Sequence, residues 1–217
     1  MYMKVKLLSY SQLADKSQIV EGQTECDSIV MRAIAECYQT QPSLKALRRC
    51  FLEKHHSVFE HISFTFKVYN ISRACLAQLT RHRIASYTVE SQRYNDYTKK
   101  AYRAVIPYTI VDDDVAYLMM MEHIKKSQEV YESLRKRGIP AQDARFVLPE
   151  ATGVNLTFTM NARELMHAFD LRLAKDAQWE IRYLFAEILK LVKPLAPKTF
   201  EAYEVPNDLV SSQVYER

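Results

Sequence analysis

Ile62–Tyr69 reads ISFTFKVY. Ile62, Phe64, Phe66 and Val68 alternate with Ser63, Thr65, Lys67 and Tyr69, the period-2 pattern of a strand with one face in a core and the other toward water. Asn70 or Ser72 then caps a short helix holding Cys75, Leu76 and Leu79. That helix delivers the chain into Gln78–Arg93, QLTRHRIASYTVESQR. This stretch gathers Arg81, His82, Arg83 and Arg93 with the hydroxyls of Thr80, Ser86, Tyr87, Thr88 and Ser91. Cations this close to a core are too costly to leave unpaired. Arginine forks match phosphate and carboxylate two bonds at a time, so an anionic, phosphorylated ligand is expected. A helix C-terminus also favours cations. Capping accounts for part of Arg81–Arg83 but leaves Ser86, Ser91 and Arg93 unexplained.

Other segments extend the pattern on both sides. Met3–Tyr10 and Tyr102–Ile106 read as strands, and Gly153–Met160 alternates like Ile62–Tyr69. Asp27–Tyr38 reads as a helix capped by Asp27, and Ser43 opens a second one ending near His55. Asp112, Asp113 and Asp114 open a long helix to Arg137, with Gly138 as its stop. Acidic residues suit the positive end of a helix dipole, which explains this triplet better than a magnesium site does. Met119–Met121 reads as core or interface filler. Pro140 opens a short helix carrying Arg145. Asn161 and Glu164 make a capping-box pattern before a helix with Arg163, His167 and Arg172. Ala177–Val192 is strongly helical. The fold class expected is α+β: an antiparallel sheet with helices packed on one side, as a single domain over residues 1–217, with 205–217 as a loose tail.

Composition narrows the function. Thirty basic and 26 acidic residues give a net charge of +4, too mild for a protein that coats nucleic acid. Only three glycines occur in 217 residues, so neither GxGxxG nor a P-loop can be present. Side chains and helix ends must hold any phosphate. The four cysteines lack CxxC spacing and read as buried free thiols in a reducing cytoplasm. No segment has the length of a membrane span, and the N-terminus lacks the apolar core of a signal peptide. His55–His61, HHSVFEH, has three histidines but not the HExxH spacing of a zinc helix. It reads instead as a polar turn, with Ser57, Glu60 and His61 able to reach a ligand, and no metal site is expected.

Arg81-His82-Arg83 followed after seven residues by Ser91, with Ser86 and Arg93 in register, resembles the signature of flavin-dependent thymidylate synthases. FEH at Phe59–His61, Arg145 before VLP, NAR at Asn161–Arg163, Arg172 and AQWEI at Ala177–Ile181 follow in the same order. The resemblance runs from about Ser57 to Glu204. It implies a homotetramer with active sites between subunits. These would convert dUMP to dTMP, with 5,10-methylenetetrahydrofolate as carbon donor and NADPH as reductant through FAD. It places Ser57, Glu60, Arg81, His82, Arg83, Ile84, Val89, Asn161, Arg163 and His167 at flavin-contact positions. It places Gln78, Arg81, Ser91, Gln92, Arg93, Arg145 and Arg172 at nucleotide-contact positions. Arg172 matches the arginine that stabilises ionised uracil. Ser91 is the hydroxyl nearest the inferred nucleotide and the second candidate catalytic group, expected to position substrate. Thr88 and Val89 depart from the family, where many relatives carry Asn and Glu; Glu90 sits one place later. No cysteine lies in the motif, so attack on the ring by a thiol is not expected. The rival reading is a non-catalytic nucleotide- or RNA-binding module, although no RNP or KH pattern accompanies the basic stretch.

Overall fold

Period-2 sequences pair into one antiparallel sheet because each buries its apolar row against the same helices. A computed structural model describes residues 2–217. Its main sheet contains β1 (Lys4–Tyr10), β2 (Ser63–Ser72), β3 (Ala85–Val89) and β5 (Gly153–Asn161), in the order β1-β2-β5-β3. Phe64 pairs with Met160, Phe66 with Phe158 and Val68 with Leu156, so the buried rows coincide across the centre. Each such side chain contributes about 1.5–3 kcal/mol by leaving water.

Over this row pack α1 (Glu25–Tyr38), α2 (Leu44–Leu52), α3 (Arg73–Leu79), α7 (Ala162–Arg172) and α8 (Trp179–Val192). The opposite face carries Thr65, Lys67, Tyr69, Thr157 and Thr159, all partly exposed. Helices on one side therefore describes the main sheet. A second, smaller core refines that picture. There β4 (Arg103–Ile106) pairs with β6 (Gln213–Glu216), next to α4 (Tyr108–Val111) and the long α5 (Asp114–Lys136). The short α6 (Ala141–Ala144) and a 3-10 turn at Arg145–Val147 lead on to β5.

Several expectations change. Gln213–Glu216, inside the stretch expected to be loose, forms β6 because its backbone closes the ladder with β4. Thr24 caps α1 in place of Asp27, whose buried carboxylate accepts from the Lys198 and Thr199 backbone N–H groups at 3.0 and 2.9 Å. Cys37 is exposed, while Cys26, Cys50 and Cys75 are buried. Ser72 caps α3; Asn70 instead sits at φ 61° beside the β2 bulge. No described helix is long and apolar enough to cross a membrane.

Candidate active site

The site is built from the end of α3. Ser72 Oγ accepts from Cys75 N at 2.9 Å, and the buried Glu180 takes the Ser72 N–H and hydroxyl at 2.7 and 2.5 Å. The helix start is thus fixed to α8, and the helix carries Gln78 to its far end. Gln178 fixes that end from the same side. Its Oε1 accepts from Glu180 N and Ile181 N at 3.1 Å, and from Gln78 Nε2 at 3.5 Å. Beyond Leu79 the chain turns sharply. The Tyr87 hydroxyl reaches back from β3 to the Leu79 and His82 carbonyls at 2.9 and 2.8 Å. The turn faces His82 inward, while Arg81, Arg83 and Ile84 stay exposed.

α7 closes the other wall. Asn161 Oδ1 accepts from Glu164 N at 2.9 Å and starts this helix. Glu164 does not complete a reciprocal capping box; its carboxylate meets His82 Nδ1 at 3.3 Å. Arg172 Nε donates to His82 Nε2 at 3.0 Å. Burial, then the Arg172 charge and His167, push His82 down to about 4, so the ring is neutral at ordinary pH. Burial likewise raises Glu164 above the usual carboxylate range.

Between these walls lies a cleft of about 780 Å³, lined by Gln78, Arg81, His82, Arg83, His167 and Arg172 together with Ala77, Thr80 and Leu171. Three guanidiniums line it and no carboxylate does. Among the described residues, none of the three makes an ion pair. That donor set fits an anionic ligand such as the diphosphate of a flavin dinucleotide, held without glycine loops. His82, Glu164 and His167 place ligand atoms within 4.8 Å of one another, a spacing that suits a metal. Both His82 nitrogens already have partners, and a guanidinium occupies the lone pair a cation would need.

The remaining expected residues lie elsewhere on the chain. Ser91 Oγ accepts from Arg93 N at 3.2 Å, forming a turn that leaves Arg93 exposed against Tyr94. Glu90 is held by Arg103 at 2.6 Å and by Asn155 N at 3.2 Å. Its carboxylate is therefore engaged at the sheet edge. Val89 pairs with Leu156 and lines a shallow hollow with Lys67, Lys100 and Thr157. Ser57 and Glu60 lie on the 3-10 turn His56–His61, where Glu60 pairs with Arg163. Two of the neighbouring histidines make separate contacts: His55 meets the Tyr38 hydroxyl and His56 the Phe51 carbonyl. Gln92 lies beside Tyr97, and Arg145 Nε donates to the Gln142 carbonyl at 3.0 Å.

The sequence reading passed over Arg73. Its Nη2 donates to the Glu90 carbonyl at 3.1 Å, while its Nε is buried without a partner. Burial, and then the neighbouring Arg145 charge, lower its pKa. The available signal was a cation at the first position of a helix, where acids are favoured.

Comparison with known proteins gives a consistent result. The family described as "Thymidylate synthase complementing protein" matches residues 8–198. A protein named flavin-dependent thymidylate synthase from Geobacter sulfurreducens is 45% identical over 155 residues, covering 69% of this chain and 67% of its own length. One of the same name from Haloarcula marismortui is 41% identical over 174 residues, covering 69% and 70%. One from Sulfurisphaera tokodaii is 35% identical over 209 residues, covering 96% of this chain and 80% of its own length.

Proposed function

The chain belongs to the flavin-dependent thymidylate synthase family, and from that membership we propose how its residues divide the work of making dTMP from dUMP. It is a thymidylate synthase, a methyltransferase that depends on flavin, and this displaces the non-catalytic RNA-binding reading. The carbon comes from 5,10-methylenetetrahydrofolate and the reducing equivalents from NADPH through FAD. The observation that carries the reading is the cleft in which Gln78, Arg81, His82, Arg83, His167 and Arg172 converge with no carboxylate among them.

Bound FAD supplies hydride chemistry that no side chain can provide. Arg81, Arg83 and His167 would hold its anionic and polar groups, and Ser57, Glu60, His82, Ile84, Val89, Asn161 and Arg163 would complete its surroundings. Gln78, Ser91, Gln92, Arg93 and Arg145 bind the nucleotide, the two arginines at its phosphate. Arg172 stabilises negative charge developing on the pyrimidine, which makes carbon 5 a better nucleophile. Ser91 positions the ring, since no neighbouring base activates its hydroxyl. Assembly as a cytoplasmic homotetramer brings these groups together. Ser57, Ser91, Arg93 and Arg145 lie outside the cleft of their own chain, and Val115, Leu118, Met119 and Phe146 leave apolar surface exposed. No nucleic acid or membrane partner is required.

Release of tritium from carbon 5 of labelled dUMP, with NADPH and methylenetetrahydrofolate present, tests the proposal. Wild-type protein should release it, and Arg172→Ala should nearly abolish release while FAD absorbance persists. Full turnover by that variant would remove Arg172 from the activating role. A protein that stays colourless with added FAD would remove the flavin assignment.

A further inference from the structure

The structure assigns to Glu164 a positioning role: its carboxylate anchors the His82 ring through Nδ1–H, and His82 in turn holds the Arg172 guanidinium toward the cleft. The inference deepens the proposed function and rests on its reading that Arg172 faces the nucleotide.

The argument starts from a donor that cannot change. An arginine side chain keeps its protons in proteins, so Arg172 Nε always donates. His82 Nε2 lies 3.0 Å from it and must therefore present a lone pair. A neutral imidazole carries its one proton on the other nitrogen, Nδ1, which faces Glu164 Oε1 at 3.3 Å. The contacts then read in one direction: Glu164 carboxylate accepts from His82 Nδ1–H, and His82 Nε2 accepts from Arg172 Nε–H. Were the proton on Nε2, two N–H donors would confront each other at that short distance.

The surroundings keep the ring from escaping. His82 is 3% exposed. Phe185 on α8 lies against it at 5.5 Å between ring centroids, and His167 on α7 at 5.9 Å. The charged or titratable groups facing it are Glu164, His167 and Arg172 from α7, with the Tyr87 hydroxyl of β3 on its main-chain carbonyl. With the ring pushed down to about 4, the arrangement persists through the neutral range. Among the described residues only Nε of Arg172 is used, so its two Nη groups remain free to meet a substrate oxygen. A guanidinium tethered at one nitrogen keeps its planar fork in a fixed orientation, which is how preorganised donors act on developing charge.

Two readouts test this. In protein labelled with ¹⁵N-histidine, long-range proton–nitrogen correlations distinguish a protonated ring nitrogen from a bare one, and His82→Asn identifies the signals of His82. Wild type should show Nδ1 protonated and Nε2 bare from pH 6 to 9. Glu164→Ala should leave the proton on Nδ1 but without an acceptor, so the Nδ1–H resonance should move and exchange faster with water, and Glu164→Gln, whose amide oxygen still accepts, should keep it protected. In the tritium-release assay Glu164→Ala should lower kcat about 10–100-fold, the scale expected when a partner orienting a functional group is lost. FAD absorbance and the KM for NADPH should be unchanged, and Glu164→Gln should recover most of the loss. A protonated Nε2 in wild type overturns the inference. So does unchanged kcat in Glu164→Ala, or a Glu164→Gln variant that keeps the Nδ1–H hydrogen bond yet is as slow as Glu164→Ala. If Glu164→Ala does not fold, the wild-type tautomer and the Glu164→Gln kinetics decide. Absence of tritium release from wild type would count against the proposed function and leave the tautomer measurement standing.

Discussion

Ser72→Ala removes two contacts at the start of the helix that delivers Gln78 and Arg81–Arg83 to the cleft. Ser72 Oγ accepts from Cys75 N at 2.9 Å and donates to the Glu180 carboxylate at 2.5 Å. Loss of the cap costs about 1 kcal/mol. Loss of a hydrogen bond to a charged group costs about 1.5–3 kcal/mol. Glu180 is 2% exposed and would retain only the Ser72 N–H. The two losses together come to about 2.5–4 kcal/mol, a fall in Tm of roughly 5–16 °C for a chain of this size. The pH dependence has a definite sign. Burial already raises Glu180 above the usual carboxylate range, and the Ser72 hydroxyl opposes that rise. Without the hydroxyl the folded state binds the Glu180 proton more tightly still. Stability of the variant relative to wild type should therefore improve as pH falls from 8 toward about 5, where part of the penalty is relieved by protonation. Urea unfolding of both proteins at the two pH values, at one protein concentration, measures the effect. A loss below about 0.5 kcal/mol, typical of unremarkable surface positions, would refute the reasoning; so would a gap that widens on acidification. Ser72→Thr retains the hydroxyl and should recover most of the loss.

Three further outcomes follow from the geometry. Gly153→Ala places a Cβ 2.9 Å from Arg103 Cβ and 3.3 Å from its carbonyl oxygen, so β4 and β5 must separate; urea unfolding should show a loss of about 1–3 kcal/mol. Glu90→Gln weakens the contact with Arg103 and should cost about 1–2 kcal/mol while flavin absorbance is retained, because Glu90 serves the sheet edge; loss of flavin would make it a cofactor contact. The Arg135 guanidinium, first through its hydrogen bonds, holds Asp96 below the usual carboxylate range. The stabilisation is complete above the unfolded pKa of about 3.9 and is lost as pH falls through the lower native value. The stability difference between wild type and Asp96→Asn, followed by circular dichroism, should be constant from pH 8 to about 5 and shrink below about pH 4.

The central strands were legible because Phe64, Phe66 and Val68, and then Leu156, Phe158 and Met160, repeat every second residue on a face with one destination. β3 has the same rhythm in Ala85, Tyr87 and Val89. Its intervening Ser86 and Thr88 belong to the cationic stretch, and a ligand-facing loop accounts for those residue types equally well. β6 is four residues long and exists only because β4 lies beside it. At α1 the expected cap, Asp27, is engaged by a contact 172 residues away, and Thr24 caps the helix instead. The site divides in the same way. Local spacing gathered Gln78, Arg81, His82 and Arg83. The contacts of Glu164 with His82, Gln178 with Gln78, and Glu180 with Ser72 cross 82, 100 and 108 residues, and no periodicity encodes them.

The Asp27 carboxylate also has a temporal meaning. On the ribosome Asp27 is made 171 residues before Lys198, whose backbone N–H it accepts. At about 5–20 residues per second, that interval is roughly 9–34 s. Throughout it α1 can form locally, but the acidic group near its start has no donor waiting in the interior. The Asp27 carboxylate therefore gains its Lys198 and Thr199 donors only after the segment following α8 has emerged.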